Sequence, residues 1–498
     1  MPAIINMDDT LDIIQPFSEI EEAQPAPPVI KKGRRGGLYL FANLIFFVIL
    51  LSFETYNASP GHDPFAYLLL LFALCSLPTI MVKQSNGPLC LLVVTGPVLF
   101  FYYGFNDLAS YFLDIPGYYR APAGGLFTAA ELAILLGIGC LFLGYTGGTK
   151  LIGRKGQSLL CADWKTANIV ALGLLCFTVG VYATWQGQIS VAYNQTINMG
   201  SSLNASLIVL GRMMEPVAAV LLSYAYLKTR SFRLLLVVLA LAAVKLPIGI
   251  LLNSKEIGVS FIAIFLVTTW LYDGRIPLRW LIVAVVVLVF FFPLAYAYRT
   301  VLGEHQLSVS KSLKRSEDLF DKAMKKDSKT GGFAGGIKSI AGRTNLKTQM
   351  EMIINRTGHS VKFQGGHTFA ELPVFFVPRL IWPGKPTVSV GQLFNREFHV
   401  SLDPNTYIST SFIGEMYWNF GWAGIFVGMM CTGVFWGGIG GSAAMGGQAT
   451  VSRMLILVSA IYLLIIRFET GYTQQNILFM RSAGIILILH IMFKNRGK

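Results

Sequence analysis

Residues 232–252 read FRLLLVVLALAAVKLPIGILL. The stretch is as long as the roughly 20 apolar residues that carry an α-helix across a bilayer. Past the opening Arg233, its only charge is Lys245. Pro247 does not end it, because a membrane helix tolerates proline where neighbouring helices satisfy the freed backbone groups. Similar runs lie at about 38–53, 65–82, 88–103, 126–144, 167–184, 205–227, 257–272, 278–298, 411–433, 454–466 and 475–493. Together they predict an all-α polytopic membrane protein with about 12 transmembrane helices.

Composition agrees. Of the 498 residues, 54% are hydrophobic and 13% charged, against about 25% charged in a soluble chain. This excludes one large water-soluble globule, a disordered scaffold and a fibre. The six cysteines show no CxxC and no cysteine–histidine ligand spacing. A disulfide framework or zinc site is therefore not expected, and small apolar packing residues are. The net charge of +14 would suggest nucleic acid in a soluble protein. In a membrane protein it is read by side of the bilayer, and no nucleic-acid partner is assigned.

The connections alternate in charge. The tails and even-numbered loops carry Lys31, Lys32, Arg34, Arg35, Lys83, Lys150, Arg154, Lys228, Arg230, Arg275, Arg453, Lys494 and Arg496, whereas the stretches 54–64 and 185–204 carry no Lys or Arg. The positive-inside rule then places both termini in the cytoplasm. The expected order is a disordered cytoplasmic tail at 1–37, membrane helices one to nine at 38–298, and a large external loop domain at 299–410. Helices ten to twelve follow at 411–493, and 494–498 returns to the cytoplasm. The loop is basic and holds His305, His359, His367 and His399. Its segments 311–327 and 337–356 pattern as helices with basic faces, which suit either headgroups or a solvated domain surface.

Ionisable residues inside spans cost a few kcal/mol on insertion scales and usually face a cavity or partner. Here Arg212 and Glu215, Lys245, Lys255 and Glu256, Arg299, Glu415, Arg467 and Glu469, and Arg481 all fall at the expected external third. Each has a plain structural alternative, such as an ion pair of Arg212 with Glu215 or a rim pair of Arg467 with Glu469. Their one-sidedness instead suits an anionic group anchored in the outer leaflet, since a guanidinium grips phosphate through two parallel hydrogen bonds. A lipid-linked diphosphate has that form.

Several mechanisms are missing from the chain. There is no GxxxxGK[ST] loop, no HExxH or GxSxG motif and no evident repeat of one half in the other. Nucleotide-driven chemistry and an ordinary secondary transporter both lose ground.

Two further stretches are distinctive. Residues 358–386 read GHSVKFQGGHTFAELPVFFVPRLIWPGKP, and 407–424 read YISTSFIGEMYWNFGWAG. The pieces VPRLIWPGKP and GEMYWNFGWAG resemble the Wzy-type O-antigen and exopolysaccharide repeat-unit polymerases of bacteria. So does the arrangement of many spans with one large external loop late in the chain. The resemblance implies a GT-C-like membrane fold in the bacterial inner membrane. It also implies a metal-independent glycosyltransferase without cofactor, with undecaprenyl-diphosphate-linked oligosaccharide as donor and acceptor. A chain-length regulator and a flippase of the same pathway are possible partners. Carried over by position, it points to Arg379 and Lys385 in the first piece, to Glu415, Tyr417 and Asn419 in the second, and to Arg343 and His367 before them. Where other members often have an arginine after the seventh span, this chain has Lys255, a point charge rather than a fork.

Such a transfer needs a proton acceptor for the attacking hydroxyl and charge to stabilise the departing diphosphate. Glu415 and His367 are the expected acceptors, with His359 behind them. Arg212, Lys255, Arg299, Arg379 and Arg481, with Arg343 and Arg467, are the expected diphosphate-binding groups, and Lys385 and Tyr417 join them at the substrate. Trp382, Trp418 and Trp422 are candidates to stack on sugar rings. An O-antigen ligase or a lipid-linked oligosaccharide flippase are the alternatives.

Overall fold

The computed structural model describes residues 64–81, 87–113, 127–153, 160, 163–192, 203–251, 255–275, 277–288, 291, 345–375, 377, 382, 389–404, 406–444 and 449–493. Among these the regular secondary structure is helical, apart from one isolated bridge between Thr357 and Val361. The helices are α1 (Pro64–Met81), α2 (Cys90–Leu113), α3 (Ala129–Gly148), α4 (Thr166–Ala192), α5 (Leu203–Thr229), α6 (Phe232–Leu251), α7 (Lys255–Asp273) and α8 (Leu278–Leu288). After them come α9 (Leu346–Arg356), α10 (Val390–Phe398), α11 (Phe412–Ala423), α12 (Met429–Ser442), α13 (Val451–Ala460) and α14 (Tyr472–Phe493).

Seven stretches are long and apolar enough to cross a membrane: Cys90–Leu108, Ala129–Gly153, Thr166–Gln186, Phe232–Ile250, Glu256–Asp273, Phe412–Ser442 and Tyr472–Phe493. Ala66–Met81, Leu278–Leu288 and Val451–Ile466 are shorter apolar helices. With α5, each apolar run of the sequence from 65–82 onward therefore meets a described helix, the run 278–298 over Leu278–Leu288 alone. The tail, the first run and the loop up to residue 344 lie outside the described residues. Leu236, Leu143 and Ile282, each at least half exposed, are side chains that hydrocarbon would solvate.

Helix contacts here rest on close backbone approach, because apolar area alone does not drive association among lipid tails. A methyl group at Gly144 or Gly148 of α3 would land on the carbonyls of Met430 and Val434 in α12. One at Gly433 or Gly437 of α12 would land on the carbonyls of Leu141 and Tyr145. The glycines recur every four residues on both helices, so the two backbones touch along one seam. The glycine-rich run after residue 421 thus serves helix packing.

Polar joints mark the two ends of the bundle. At one end Lys228 pairs with Asp163 at 2.7 Å, Tyr224 donates to the Ala449 carbonyl, and Thr450 donates to the Leu160 carbonyl. Arg230 pairs with Asp273 there. These are termini that the charge alternation assigns to even-numbered loops. The opposite end gathers the last turns of α2, the first turns of α3, α7, α11 and α14, and helix α9. The described candidate residues belong to that second end or to the helix turns below it, with Arg212, the tenth residue of α5, and Arg481 the deepest along their helices. Arg481 is the tenth residue of α14, about 14 Å along the helix at ~1.5 Å per residue.

Candidate functional site

The site is organised around a break in a helix. Phe420 (φ −135°, ψ 16°) and Gly421 (φ 61°, ψ −144°) leave helical geometry inside α11, where the helix kinks. Only glycine adopts that φ without strain. The break releases the Trp418 and Asn419 carbonyls from their usual intrahelical donors. The turn Gln364–Gly365–Gly366 takes them: Gln364 N–H donates to the Trp418 carbonyl at 3.0 Å and Gly365 N–H to that of Asn419 at 3.2 Å. Gly365 and Gly366 both have positive φ, which explains the paired glycines of QGGH.

The side chains tighten the same joint. Gly366 N–H donates to Asn419 Oδ1 at 2.9 Å. Asn419 Nδ2 donates to Thr368 Oγ1 at 2.8 Å, and Thr368 in turn donates to Glu415 Oε1 at 2.9 Å. From α14, Thr473 Oγ1 donates to Glu415 Oε1 at 2.6 Å, while the Tyr472 and Thr473 amides donate to Oε2 at 2.7 and 3.4 Å. Glu415 is fully buried and joins α11, α14 and the QGGHT turn. His367, on the outer side of that turn, is exposed.

Aromatic residues pack around this centre. Trp418 is fully buried against Phe394 and Phe398 of α10, at 5.6 and 5.5 Å between centroids. It is a core residue, so it presents no face to a sugar ring. Tyr417 is buried, with its ring 6.3 Å from Phe363 and 5.8 Å from Trp422. Phe363, Phe420, Trp422 and Trp382 are each exposed by roughly half.

Three ionic joints among the described residues tie helices together near this end or just below it. Arg467, in the turn after α13, pairs with Glu256 of α7, and its Nη2 lies 3.1 Å from Tyr462 Oη. The segment Ile461–Ile466 is a π-helix. Its i→i+5 repeat brings residues 462 and 467 to one face, where an α-helix would part them. Burial works to lower the pKa of Arg467, but Tyr462 and Glu256 outweigh it and hold the guanidinium raised and charged. Lys245 of α6, fully buried, pairs with Glu215 of α5, and Thr184 of α4 donates to the same carboxylate at 3.1 Å. Arg212, one turn away, keeps Nε and Nη2 buried without a hydrogen-bond partner among the described residues.

The third joint was not foreseen. Lys347 of α9 reaches Asp107 of α2 at 2.7 Å and Glu131 of α3 at 2.9 Å, with its ammonium 4.9 Å from the centre of the Tyr67 ring. Burial disfavours that charge, yet the two carboxylates raise the lysine's pKa well above its ordinary value. Glu131 also caps α3, accepting from Thr128 N–H while Thr128 accepts from Glu131 N–H. The signal was readable as the Thr-x-x-Glu box that opens an apolar run.

The structure thus brings Glu415, His367 and Tyr417 together, with the Arg467 turn beside them through Ser411 N–H and the Glu469 carbonyl at 2.8 Å. Arg212 and Arg481 stand on α5 and α14, two helices that both pack on α13. Arg299, Arg343, Arg379 and Lys385 lie outside the described residues, as does the Lys255 side chain. His359, in the turn after α9, is exposed.

Residues 387–496, covering α10 to α14, match the family model described as O-antigen polysaccharide polymerase Wzy. No curated protein and no solved structure matches the chain.

Proposed function

We propose that this chain, which the match over residues 387–496 supports as a member of the Wzy family, is a polysaccharide polymerase of the bacterial inner membrane. It joins oligosaccharide repeat units carried on undecaprenyl diphosphate at the external face, with both termini in the cytoplasm. The growing chain leaves its carrier lipid for the non-reducing end of an incoming unit. A hydroxyl of that unit loses its proton and attacks the anomeric carbon, the glycosidic bond to phosphate breaks, and undecaprenyl diphosphate departs.

On this reading the leaving diphosphate is held by cations rather than by a metal. Arg212, Arg467 and Arg481 are assigned to it, together with Lys255, Arg299, Arg343, Arg379 and Lys385. Preorganised charge in a water-poor site lowers such a barrier by several kcal/mol. Glu415 or His367 receives the proton, and Tyr417 lines the acceptor side. A GT-C-like architecture and an external loop domain at 299–410 belong to the same proposal.

One observation carries it. The stretch matched by the family contains the broken helix α11, and the break seats the exposed His367 turn beside the Arg467 turn at a single end of the bundle. The test is deletion of the gene followed by analysis of carrier-linked glycans. The expected result is single repeat units accumulating outside the inner membrane. Full-length polymer in that strain overturns the proposal. Units trapped inside favour a flippase, and unjoined polymer failing to reach a lipid A core sugar favours a ligase.

A further inference from the structure

The hydrogen bonds around Glu415 separate its role from that of His367. A carboxylate offers about four acceptor sites, and here four donors fill them: Thr368 Oγ1, Thr473 Oγ1 and the Tyr472 and Thr473 amides. Nothing of Glu415 reaches solvent. The direction of the chain is fixed. Gly366 N–H can only donate, so Asn419 turns its oxygen to it and its amide nitrogen to Thr368. The Thr368 hydroxyl therefore accepts from Asn419 and spends its proton on Glu415.

We propose that Thr368, Asn419 and Glu415 are positioning residues: they lock the QGGHT turn onto α11 and α14 so that His367 projects from a fixed place, and Glu415 does not itself take the acceptor sugar's proton. The claim rests on the polymerase reading for its last step only. The locking of the turn stands independently of any substrate. Residue 368 must supply a small hydroxyl facing inward while residue 367 faces outward, and consecutive residues of a tight 3₁₀ turn at His367–Phe369 do this.

The experiment uses the full chain in lipid nanodiscs. Two readouts are taken on each variant: hydrogen–deuterium exchange of amides 365–370, which needs no substrate, and turnover of a lipid-linked repeat unit. Thr368→Val and Glu415→Gln should each speed exchange of the turn about ten- to hundredfold, the range expected for losing a hydrogen bond to a charged group. Both should lower turnover. Their combination should add little to either alone, because both act through one contact. Thr368→Ser should restore slow exchange and turnover, and His367→Asn should abolish turnover with exchange unchanged. Thr368→Ala, which leaves the three α14 donors in place, serves if Glu415→Gln fails to fold. Native exchange in Glu415→Gln with turnover abolished would make Glu415 the proton acceptor and overturn the proposal. Native exchange in the Thr368 variants would also overturn it. Loss of turnover in the unaltered chain, with exchange behaving as expected, would reject the polymerase reading and leave the lock standing.

Discussion

Replacing Lys347 by Met tests how α9 is fastened to the membrane helices. The Lys347 side chain is 13% exposed, and its partners Asp107 and Glu131 are 16% and 0% exposed. Contacts of 2.7 and 2.9 Å therefore lie away from water. Removing one partner of a buried pair strands the other charge and costs about 3–5 kcal/mol, whereas a surface pair is worth only about 0–1. The change here strands two carboxylates at once, so the upper part of the buried range applies. Denaturant unfolding in mixed micelles, followed by exchange of the α9 amides, should report a loss of about 4 kcal/mol on that scale. Met keeps the length and apolar stem of lysine, so the loss belongs to the charge. Adding Glu131→Gln and Asp107→Asn should recover more than half, because three neutral groups leave no stranded charge. A Lys347→Met protein within about 1 kcal/mol of the parent would place the cluster among surface pairs and refute the argument.

Other joints give sharper contrasts. Lys245→Met should destabilise by about 3 kcal/mol or more by stranding Glu215 at membrane depth, while the exchanged pair Lys245→Glu with Glu215→Lys should regain much of it; thermal unfolding in nanodiscs decides. Gly437→Val should weaken the α3–α12 seam by at least 1–3 kcal/mol, since its side chain would meet the Tyr145 carbonyl, and cysteine cross-linking across the seam would show the helices parting. Arg467→Ala should cost less than about 1 kcal/mol of stability, because Glu256 is half exposed, yet shorten polymer at least tenfold on a glycan ladder. Arg212→Ala should leave stability equal or higher while abolishing polymer; unfolding of that variant would show that the arginine holds the fold instead.

The helices were legible because apolar length is a one-dimensional property. Each run from 65–82 onward meets a described helix. Partnerships were not legible, because a sequence shows neighbours on one helix and not those across two. Arg212 and Glu215, three residues apart, suggested an ion pair on one face. In the fold Glu215 goes to Lys245 on the next helix. Arg467 and Glu469 suggested a rim pair, and Arg467 reaches Glu256, 211 residues earlier. The aromatic Trp418 in GEMYWNFG suggested a sugar platform, but the packing of α10 turns it into core. The pattern that was readable at the site, QGGH, disclosed a turn. What it turns against depends on a break at Phe420–Gly421 that no periodicity announces.

The distribution of partners among these cations bears on what they do. A charge held in a low-dielectric interior needs compensation, and the fold supplies it to Lys347 with two carboxylates and to Lys245 with one. Those two are joints whose charge is already spent on protein, whereas Arg467 meets a half-exposed Glu256 at the bundle end. Arg212 differs: its neighbour Glu215 is committed to Lys245 and Thr184, and its Nε and Nη2 find no hydrogen-bond partner among the described residues. Nε and Nη2 are one edge of the guanidinium fork, the geometry that takes a phosphate through two parallel hydrogen bonds. On the proposed reading, a fork with no partner among the described residues is matched at that depth by an anionic headgroup. On the proposed polymerase reading, the interaction is strongest with the ligand carrying the most charge, the lipid diphosphate leaving at the end of the transfer, rather than with the glycosyl diphosphate that arrived. A lysine at 212 would keep the charge and lose the edge, which is why Arg212→Lys should behave like Arg212→Ala in polymer length rather than like the parent.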